Sequence, residues 1–173
     1  MIKKIKKNIW QFSFVFFGSC VYVIKLKGKN IVIDTSSFVN RPELKKSLRH
    51  ISVNPDDVSI LLLTHNHFDH TGNIKLFKNS KIYGGGDFKN KKILNLRDLK
   101  IKEIIIIKTP GHTAGSICFY LPKEKILFSG DTLFDRGFIG RTDLPNSRPE
   151  KMKSSLGKLK KLGYKILCPG HLL

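Results

Sequence analysis

Residues 58–72 read VSILLLTHNHFDHTG, an apolar run followed by three histidines and an aspartate. A short, uninterrupted apolar run is typical of a buried strand. His65 and His67 lie two residues apart, so their side chains point the same way on an extended chain, whereas Asp69 and His70 follow after a turn. Their nitrogen and carboxylate oxygen atoms are ligands that zinc takes in proteins, and iron and manganese accept the same set. The stretch therefore predicts two adjacent metal ions at the end of a strand.

Three later parts of the chain repeat the pattern of an apolar strand that ends in a polar turn. They are Ile104–Ile107 before His112, Glu124–Phe128 before Asp131, and Tyr164–Cys168 before His171. Ligand sites in layered α/β folds lie at such strand ends, where loops vary on a fixed scaffold. We therefore expect the four turns to converge on one rim, with five of the 6 histidines serving as metal ligands.

These residues form two predicted ligand sets that share a carboxylate. One ion is expected to take His65, His67 and His112, the other is expected to take Asp69, His70 and His171, and Asp131 joins the two ions. Two divalent ions with two carboxylates leave a charge of about +2, and coordination lowers the pKa of water to about 7. The predicted site therefore holds a bridging hydroxide near neutral pH, and this hydroxide can act as a nucleophile.

The rest of the chain predicts a layered α/β architecture. Strands are predicted at 9–17, 20–26, 31–33 and 82–83, a short helix at 73–78, and longer helices that begin at Pro42 and after Ser147. Glu150 follows Ser147 by three residues, which predicts a helix start capped by the serine side chain. We also expect Leu172 and Leu173 to pack inward beside His171.

The composition suits a globular protein with a basic surface. The chain has 173 residues, of which 40% are hydrophobic, and this size fits one domain with its own core. The formal net charge of +19 comes mainly from dispersed lysines, so a solvated surface is favoured over a nucleic-acid-binding patch, and anionic ligands are attracted in either case.

The cysteines and the N-terminus bear on the cellular compartment. Cys20, Cys118 and Cys168 lie in or beside apolar runs without the spacing of a metal or redox motif, as expected for buried thiols in a reducing compartment. The lysine-rich start and the uncharged residues 8–24 are similar to a secretion signal, but β-branched and aromatic residues favour strands there. We therefore expect a cytoplasmic protein without a membrane association.

Four motifs resemble those of a known family in their order along the chain. They are Thr64–His70, Pro110–Thr113, Gly130–Thr132 and Gly170–His171, and they are similar to the motifs of the metallo-β-lactamase superfamily. The run Phe128–Phe134 with Gly140–Asp143 looks most like the glyoxalase II branch, the hydroxyacylglutathione hydrolases, and its compact single-domain relatives. The resemblance implies a four-layer αββα sandwich with two metals at one edge of the sheets, and it implies the same seven ligands.

The sequence departs from glyoxalase II at its C-terminus and at two internal positions. Enzymes that it resembles continue into a helical domain that contacts glutathione, whereas this sequence stops two residues after His171. We therefore expect a single domain over residues 1–173 without that helical domain, and glutathione specificity does not follow from the resemblance. Ser36 and Ser37 replace a glycine common in relatives, and Asn73 stands where relatives often have a small residue.

The predicted reaction is hydrolysis of a small anionic acyl-thiol compound, a thioester, by the metal-bridging hydroxide. Asp69 and Asp131 are the expected catalytic residues, with Asp69 orienting the hydroxide and taking its proton. A thiolate leaves readily because its pKa is about 8.5, so no strong general acid is required. Arg141 and Asp143 are expected to form an ion pair that pins the loop after Asp131, with direct substrate contact as the alternative.

Three other functions share this ligand pattern or this charge. Persulfide dioxygenases resemble the chain in fold and in a Gly-Arg-Thr-Asp run. Their resemblance, however, implies a site with a single iron ion at positions like His65, His112 and Asp131. Metal-dependent ribonucleases of the superfamily are suggested by the positive charge, although this chain lacks room for their RNA-clamping insertions. A basic nucleic-acid-binding module with a vestigial metal site is the third alternative. Metal content and the effect of Asp131→Ala distinguish these functions from thioester hydrolysis.

Overall fold

The computed structural model describes residues 1–90 and 92–172. The chain divides into two compact units that are interleaved in sequence. The first unit comprises Met1–Leu63, His67–Tyr83 and Lys92–Leu94, and the second comprises Thr64–Asn66, Gly84–Lys91 and Asn95–Leu173. The chain therefore passes from the second unit to the first inside the histidine motif.

The first unit is built on a seven-stranded sheet. Its strands are β1 Ile2–Lys6, β2 Ile9–Phe12, β3 Val21–Leu26, β4 Lys29–Ile33, β5 Val58–Leu62, β6 Lys81–Gly84 and β7 Ile93–Asn95, in that spatial order. Strands β1 to β4 pair antiparallel, whereas β4, β5 and β6 pair parallel. A parallel pair needs a crossover, and helix α1, Arg41–His50, supplies it between β4 and β5. The short helix α2, Phe68–Thr71, follows β5.

The elements of the first unit follow the sequence pattern in part, although strands β1 and β7 were not predicted. Leu44 and Leu48 of α1 are fully buried, as the predicted apolar face requires. The predicted strand over residues 9–17 is too long, because β2 ends at Phe12 and the chain then forms a loop. The lysine-rich N-terminus forms the edge strand β1, where charged side chains suit an exposed edge. The predicted helix at 73–78 is a single turn of 3-10 helix, Ile74–Leu76.

The second unit is built on a four-stranded sheet and one long helix. Its strands are β8 Ile105–Lys108, β9 Ile117–Leu121, β10 Ile126–Gly130 and β11 Ile166–Pro169, in the spatial order β11-β10-β9-β8. Strand β10 pairs parallel with β11 and antiparallel with β9. The helix α3, Pro149–Lys160, contributes Leu159 to a core that includes Cys118 and Leu127. Sequence analysis missed β9, whose five residues are all buried.

Two local predictions in the second unit are wrong. Ser147 makes no cap bond to α3, and its hydroxyl instead donates to the carbonyl of His112 at 2.7 Å. Leu172 is 49% exposed rather than packed inward, and Leu173 lies outside the described residues. Within residues 1–90 and 92–172, no helix has the length and apolarity needed to cross a lipid bilayer.

Candidate metal centre

Asp131 lies between two histidines in the second unit. Its Oδ2 atom is 3.5 Å from Nε2 of His112 and 3.5 Å from Nε2 of His171. Two ligand atoms held tetrahedrally at about 2.0–2.2 Å from one zinc ion lie about 3.4 Å apart, so both separations suit shared coordination. The side chains of His65 and Asp131 also offer ligand atoms within 4.8 Å of each other. This unit therefore brings three predicted histidine ligands together around the carboxylate of Asp131.

Two glycines allow the backbone to close around Asp131. Gly130 ends β10 with a φ of +50°, which favours glycine, and a Cβ there would lie 2.7 Å from Cβ of Thr64. The amide of Gly140 donates to the carbonyl of Asp131 at 3.0 Å, and a Cβ on Gly140 would lie 2.9 Å from Nδ1 of His112. Because a side chain at either position meets the site, these glycines maintain the close approach of its backbone.

The rings of His65 and His112 are oriented through their Nδ1 atoms. Nδ1 of His112 donates to the carbonyl of Arg141 at 2.7 Å, and Nδ1 of His65 lies 3.1 Å from the hydroxyl of Thr64. The two rings meet edge to face with centroids 4.8 Å apart. Because a carbonyl oxygen can only accept, the carbonyl of Arg141 selects the tautomer of His112 in which Nε2 carries the lone pair, and that lone pair can bind a metal.

The first unit contains a second group of predicted ligands, Asp69 and His70. Nε2 of His70 lies 3.8 Å from Oδ2 of Asp69, and both side chains are buried. Nδ1 of His70 donates to Oδ2 of Asp34 at 2.8 Å, and Asp34 is only 3% exposed at its side chain. The carboxylate of Asp34 therefore fixes the ring in the same way that the carbonyl of Arg141 fixes His112. His67 is the N-cap residue that precedes α2 in this unit, and its side chain is half buried.

Sequence analysis missed the role of Asp34. The sequence feature that could have revealed this role is the position of Asp34 at the end of an apolar strand and before a polar turn. The predicted ligands occupy the same kind of position. Asp34 and Ser36 adopt positive φ angles of 56° and 59°, which are unusual for residues other than glycine. Such a conformation persists only where its surroundings determine it.

Asn73 holds the turn after Asp34 in place. Its side-chain amide donates to the carbonyls of Thr35 and Ser37, both at 2.8 Å, and its Oδ1 accepts from Nε of Arg41 at 3.0 Å. Thr35 in turn donates through its hydroxyl to the carbonyl of His70 at 2.9 Å. Asn73 is completely buried, so these bonds are shielded from water and join the strand end to the ligand-bearing turn.

Arg141 and Asp143 form a two-bond ion pair at the surface. Nε and Nη2 of Arg141 donate to the two carboxylate oxygens of Asp143 at 3.0 and 2.7 Å. Both side chains are largely exposed, at 71% and 66%. The hydrogen bonds from Arg141 lower the pKa of Asp143 from 3.8 to about 2. Arg141 therefore contacts the site through its backbone carbonyl on His112, while its guanidinium is paired with Asp143.

Comparisons with known proteins identify several relatives. The sequence profile of the "Metallo-beta-lactamase superfamily" matches residues 15–91 and 83–171. A probable metallo-hydrolase of Methanocaldococcus jannaschii is 39% identical over 152 residues, which are 82% of this chain and 70% of that protein. A hydroxyacylglutathione hydrolase of Hydrogenovibrio crunogenus is 31% identical over 155 residues, which are 82% of this chain and 54% of that enzyme.

A solved structure shows the same fold. A metallo-beta-lactamase family protein of Thermus thermophilus superposes with a TM-score of 0.81 at 20% identity, over 98% of this chain and 75% of that chain. This match confirms the mixed α/β fold class with two sheets and helices. The chain spans about half of the length of several curated relatives, 49%, 50% and 54% in three cases.

Proposed function

The chain belongs to the metallo-β-lactamase superfamily, whose members are hydrolytic enzymes that bind divalent metals, and we propose that it is a dinuclear metal hydrolase acting on a thioester. The family resemblance found in the sequence is thereby confirmed. The finer assignment of two ions and a thioester substrate is our proposal. It draws on the ligand chemistry and on the relative described as a hydroxyacylglutathione hydrolase.

One observation carries the proposal, the position of Asp131 between two imidazoles. Oδ2 of Asp131 lies at the same 3.5 Å from Nε2 of His112 and of His171, so one carboxylate can serve two coordination spheres. We propose that one ion binds His65, His67 and His112, that the other binds Asp69, His70 and His171, and that Asp131 bridges them. When bound, such ions lower the pKa of water to about 7 and polarise the substrate carbonyl.

The residues of the chain supply orientation and proton transfer. Oxygen acceptors on Nδ1 of His70 and His112 hold both rings in the tautomer whose Nε2 can bind a metal. We propose that Asp69 orients the attacking water and accepts its proton at a carboxylate oxygen. A departing thiolate, with a pKa of about 8.5, needs no protonation by the protein, so this residue set is sufficient for a thioester.

A mononuclear-iron persulfide dioxygenase is the second candidate. The second unit by itself brings together His65, His112 and Asp131, the three positions that such a site would use. This candidate predicts one iron ion per chain and consumption of oxygen with a persulfide of glutathione. The dinuclear proposal predicts two ions and hydrolysis without oxygen.

The experiment compares metal content and activity in matched variants. Protein is purified without added metal, and its metal content is measured by inductively coupled plasma mass spectrometry. The same protein is assayed on a panel of thioesters. We expect two ions per chain in the wild type, and His171→Ala and Asp131→Ala should each lose metal and turnover. His50→Ala is the matched control, because His50 is exposed on α1 and belongs to neither ligand set. One iron per chain with oxygen uptake, or metal content unchanged in Asp131→Ala, would overturn the proposal.

A further inference from the structure

The first unit contains a cleft of about 450 Å³ that is lined by parts of helix α1, of the turn before β5 and of the segment after α2. This volume lies in the range of roughly 300–1,000 Å³ that is usual for small-molecule sites. Charged side chains from all three segments line the cleft, and they are Arg41, Lys45, Asp56, Asp57, Lys75 and Lys78. None of them belongs to the predicted metal ligands, so we treat the cleft, which we call the basic cleft, as a site separate from the metal centre.

The four positive side chains of the basic cleft have no acidic partner in the structure. Among residues 1–90 and 92–172, no carboxylate lies within 4.0 Å of their charged nitrogen atoms. Arg41 and Lys45 are four residues apart on α1, and a pair of like charges at this spacing repel each other on one face of a helix. The two aspartates leave the lining with a net charge of +2. An anion bound in the cleft would therefore relieve a repulsion that the protein itself does not neutralise.

Arg41 is held at the cleft by the interior of the protein. Its Nε atom donates to Oδ1 of Asn73 at 3.0 Å, and Asn73 is completely buried. In the described part of the chain, its Nη atoms make no hydrogen bond to a protein acceptor. A guanidinium held in this way offers paired donors whose planar geometry matches the oxygen atoms of a phosphate group.

The acidic edge of the basic cleft is fixed through its backbone. The carbonyl of Asp56 accepts from Nδ2 of Asn79 at 3.2 Å. The carbonyl of Asp57 accepts from Nδ2 of Asn30 at 3.1 Å. Both carboxylates are on exposed residues, where they repel phosphate but can accept hydrogen bonds from hydroxyl groups. The lining therefore suits a ligand that carries phosphate groups at one end and hydroxyl donors at the other.

We propose that the basic cleft binds a nucleoside diphosphate. Its two phosphate groups lie on the positive side chains, one pair from α1 and one pair from the segment after α2, and its ribose hydroxyl groups donate to Asp56 and Asp57. A nucleic acid would also be attracted to a basic protein, but two carboxylates in the lining repel a continuous phosphate backbone. The inference does not depend on the proposed thioester hydrolysis.

The test is isothermal titration calorimetry of the metal-loaded protein with ADP, inorganic pyrophosphate and adenosine. We expect ADP to bind at least about fivefold more tightly than the other two, because only ADP has both kinds of group. Arg41→Gln and Lys75→Gln should each weaken ADP binding by about fivefold or more, since each removes a charge-assisted hydrogen bond. Asp56→Ala should lower the ratio of ADP to pyrophosphate affinity by about threefold or more. Arg97→Gln is the matched control, because Arg97 is exposed in the second unit, and it should bind ADP as the wild type does.

Each other outcome overturns the inference in a defined way. An equal loss of affinity in Arg97→Gln and Arg41→Gln would assign the binding to overall charge. Binding that is lost when a chelator removes the metals would place the phosphate groups at the metal centre. Equal affinities for ADP and pyrophosphate would exclude a nucleoside, and displacement of ADP by a lower concentration of a single-stranded oligonucleotide would assign the cleft to nucleic acid.

Two measurements keep the test independent of folding and of the proposed hydrolysis. Lys75 is exposed, so Lys75→Gln should unfold in urea as the wild type does, and weaker ADP binding by this variant then does not reflect misfolding. The variants are also assayed on the thioester panel. No detectable ADP binding together with thioester turnover overturns this inference alone, whereas ADP binding without turnover of any thioester overturns the proposed hydrolysis alone.

Discussion

Replacing Asn73 by alanine removes the residue that joins the strand end at Asp34 to the turn at His70. The substitution deletes two donors to the carbonyls of Thr35 and Ser37, both at 2.8 Å, in a completely buried position. The carbonyl of Ser37 keeps a second partner, because the amide of Asn40 donates to it at 3.1 Å. The carbonyl of Thr35 loses the amide group that satisfied it.

The magnitude follows from these unequal losses. A buried acceptor left without its partner costs about 1–3 kcal/mol, and a hydrogen bond that can be replaced contributes about 0.5–1.5 kcal/mol. We therefore expect Asn73→Ala to lower the free energy of unfolding by about 2–4 kcal/mol. That loss is a large part of the total of about 5–15 kcal/mol that is usual for a domain.

Urea unfolding of the metal-free protein measures this loss, because a chelator removes any contribution from metal binding. With a urea dependence of about 2 kcal/mol per molar, the midpoint should fall by about 1–2 M. Asn79→Ala is the matched control, since Nδ2 of Asn79 donates to the carbonyl of Asp56 at 3.2 Å on an exposed surface. That variant should change stability by less than about 0.5 kcal/mol. An equally small change in Asn73→Ala would refute the role assigned to this residue.

Three further predictions concern single contacts. Asp34→Asn removes the charge that orients His70, so zinc affinity measured by chelator competition should fall about 10- to 100-fold, and an unchanged affinity would contradict the contact. Because the pKa of Asp143 is lowered, its ion pair with Arg141 stabilises the fold fully at pH values above 3.8, the ordinary pKa of this carboxyl group. This contribution is lost as the pH falls through about 2. An NMR titration should show that midpoint, and Arg141→Gln should return it towards 3.8, whereas equal midpoints would argue against the pair. Burial raises the pKa of Cys118 to about 11, so a thiol reagent should modify it only after unfolding, and rapid labelling of the native protein would disprove this.

Much of the fold was predictable because its signals are local. The buried strand before His65, the amphipathic helix α1 and the turns that carry His112 and Asp131 are each specified within a few residues, and the structure contains all of them. Strand β9 was missed because it lacks a distinctive motif at its end, although its residues are as apolar as those of the strands beside it. Residues 13–17 were assigned to a strand because their composition is that of a strand, and only the structure shows that they leave the sheet.

Some features of the candidate site could likewise be predicted from local sequence, whereas others depend on the tertiary structure. Histidine and aspartate in polar turns after apolar strands predicted the ligand types and their positions, and the ligand assignment itself stays a prediction. The partners of those ligands were not predictable, because Asp34 is far from His70 in sequence and the carbonyl of Arg141 carries no side-chain signal. Ser147 shows the limit of a motif, since its hydroxyl bonds to His112 instead of capping the helix.

Residue type and spacing were enough to establish the family, the order of the strands that carry ligands and the chemistry of the donor atoms. The folded chain was needed to show that Asp131 lies equally close to His112 and His171, and that Asp34 is the partner of His70. Hydrogen bonds and ring contacts act over a few ångströms in space, whatever the separation along the chain. The choice of partners therefore becomes visible only when distant segments have packed together.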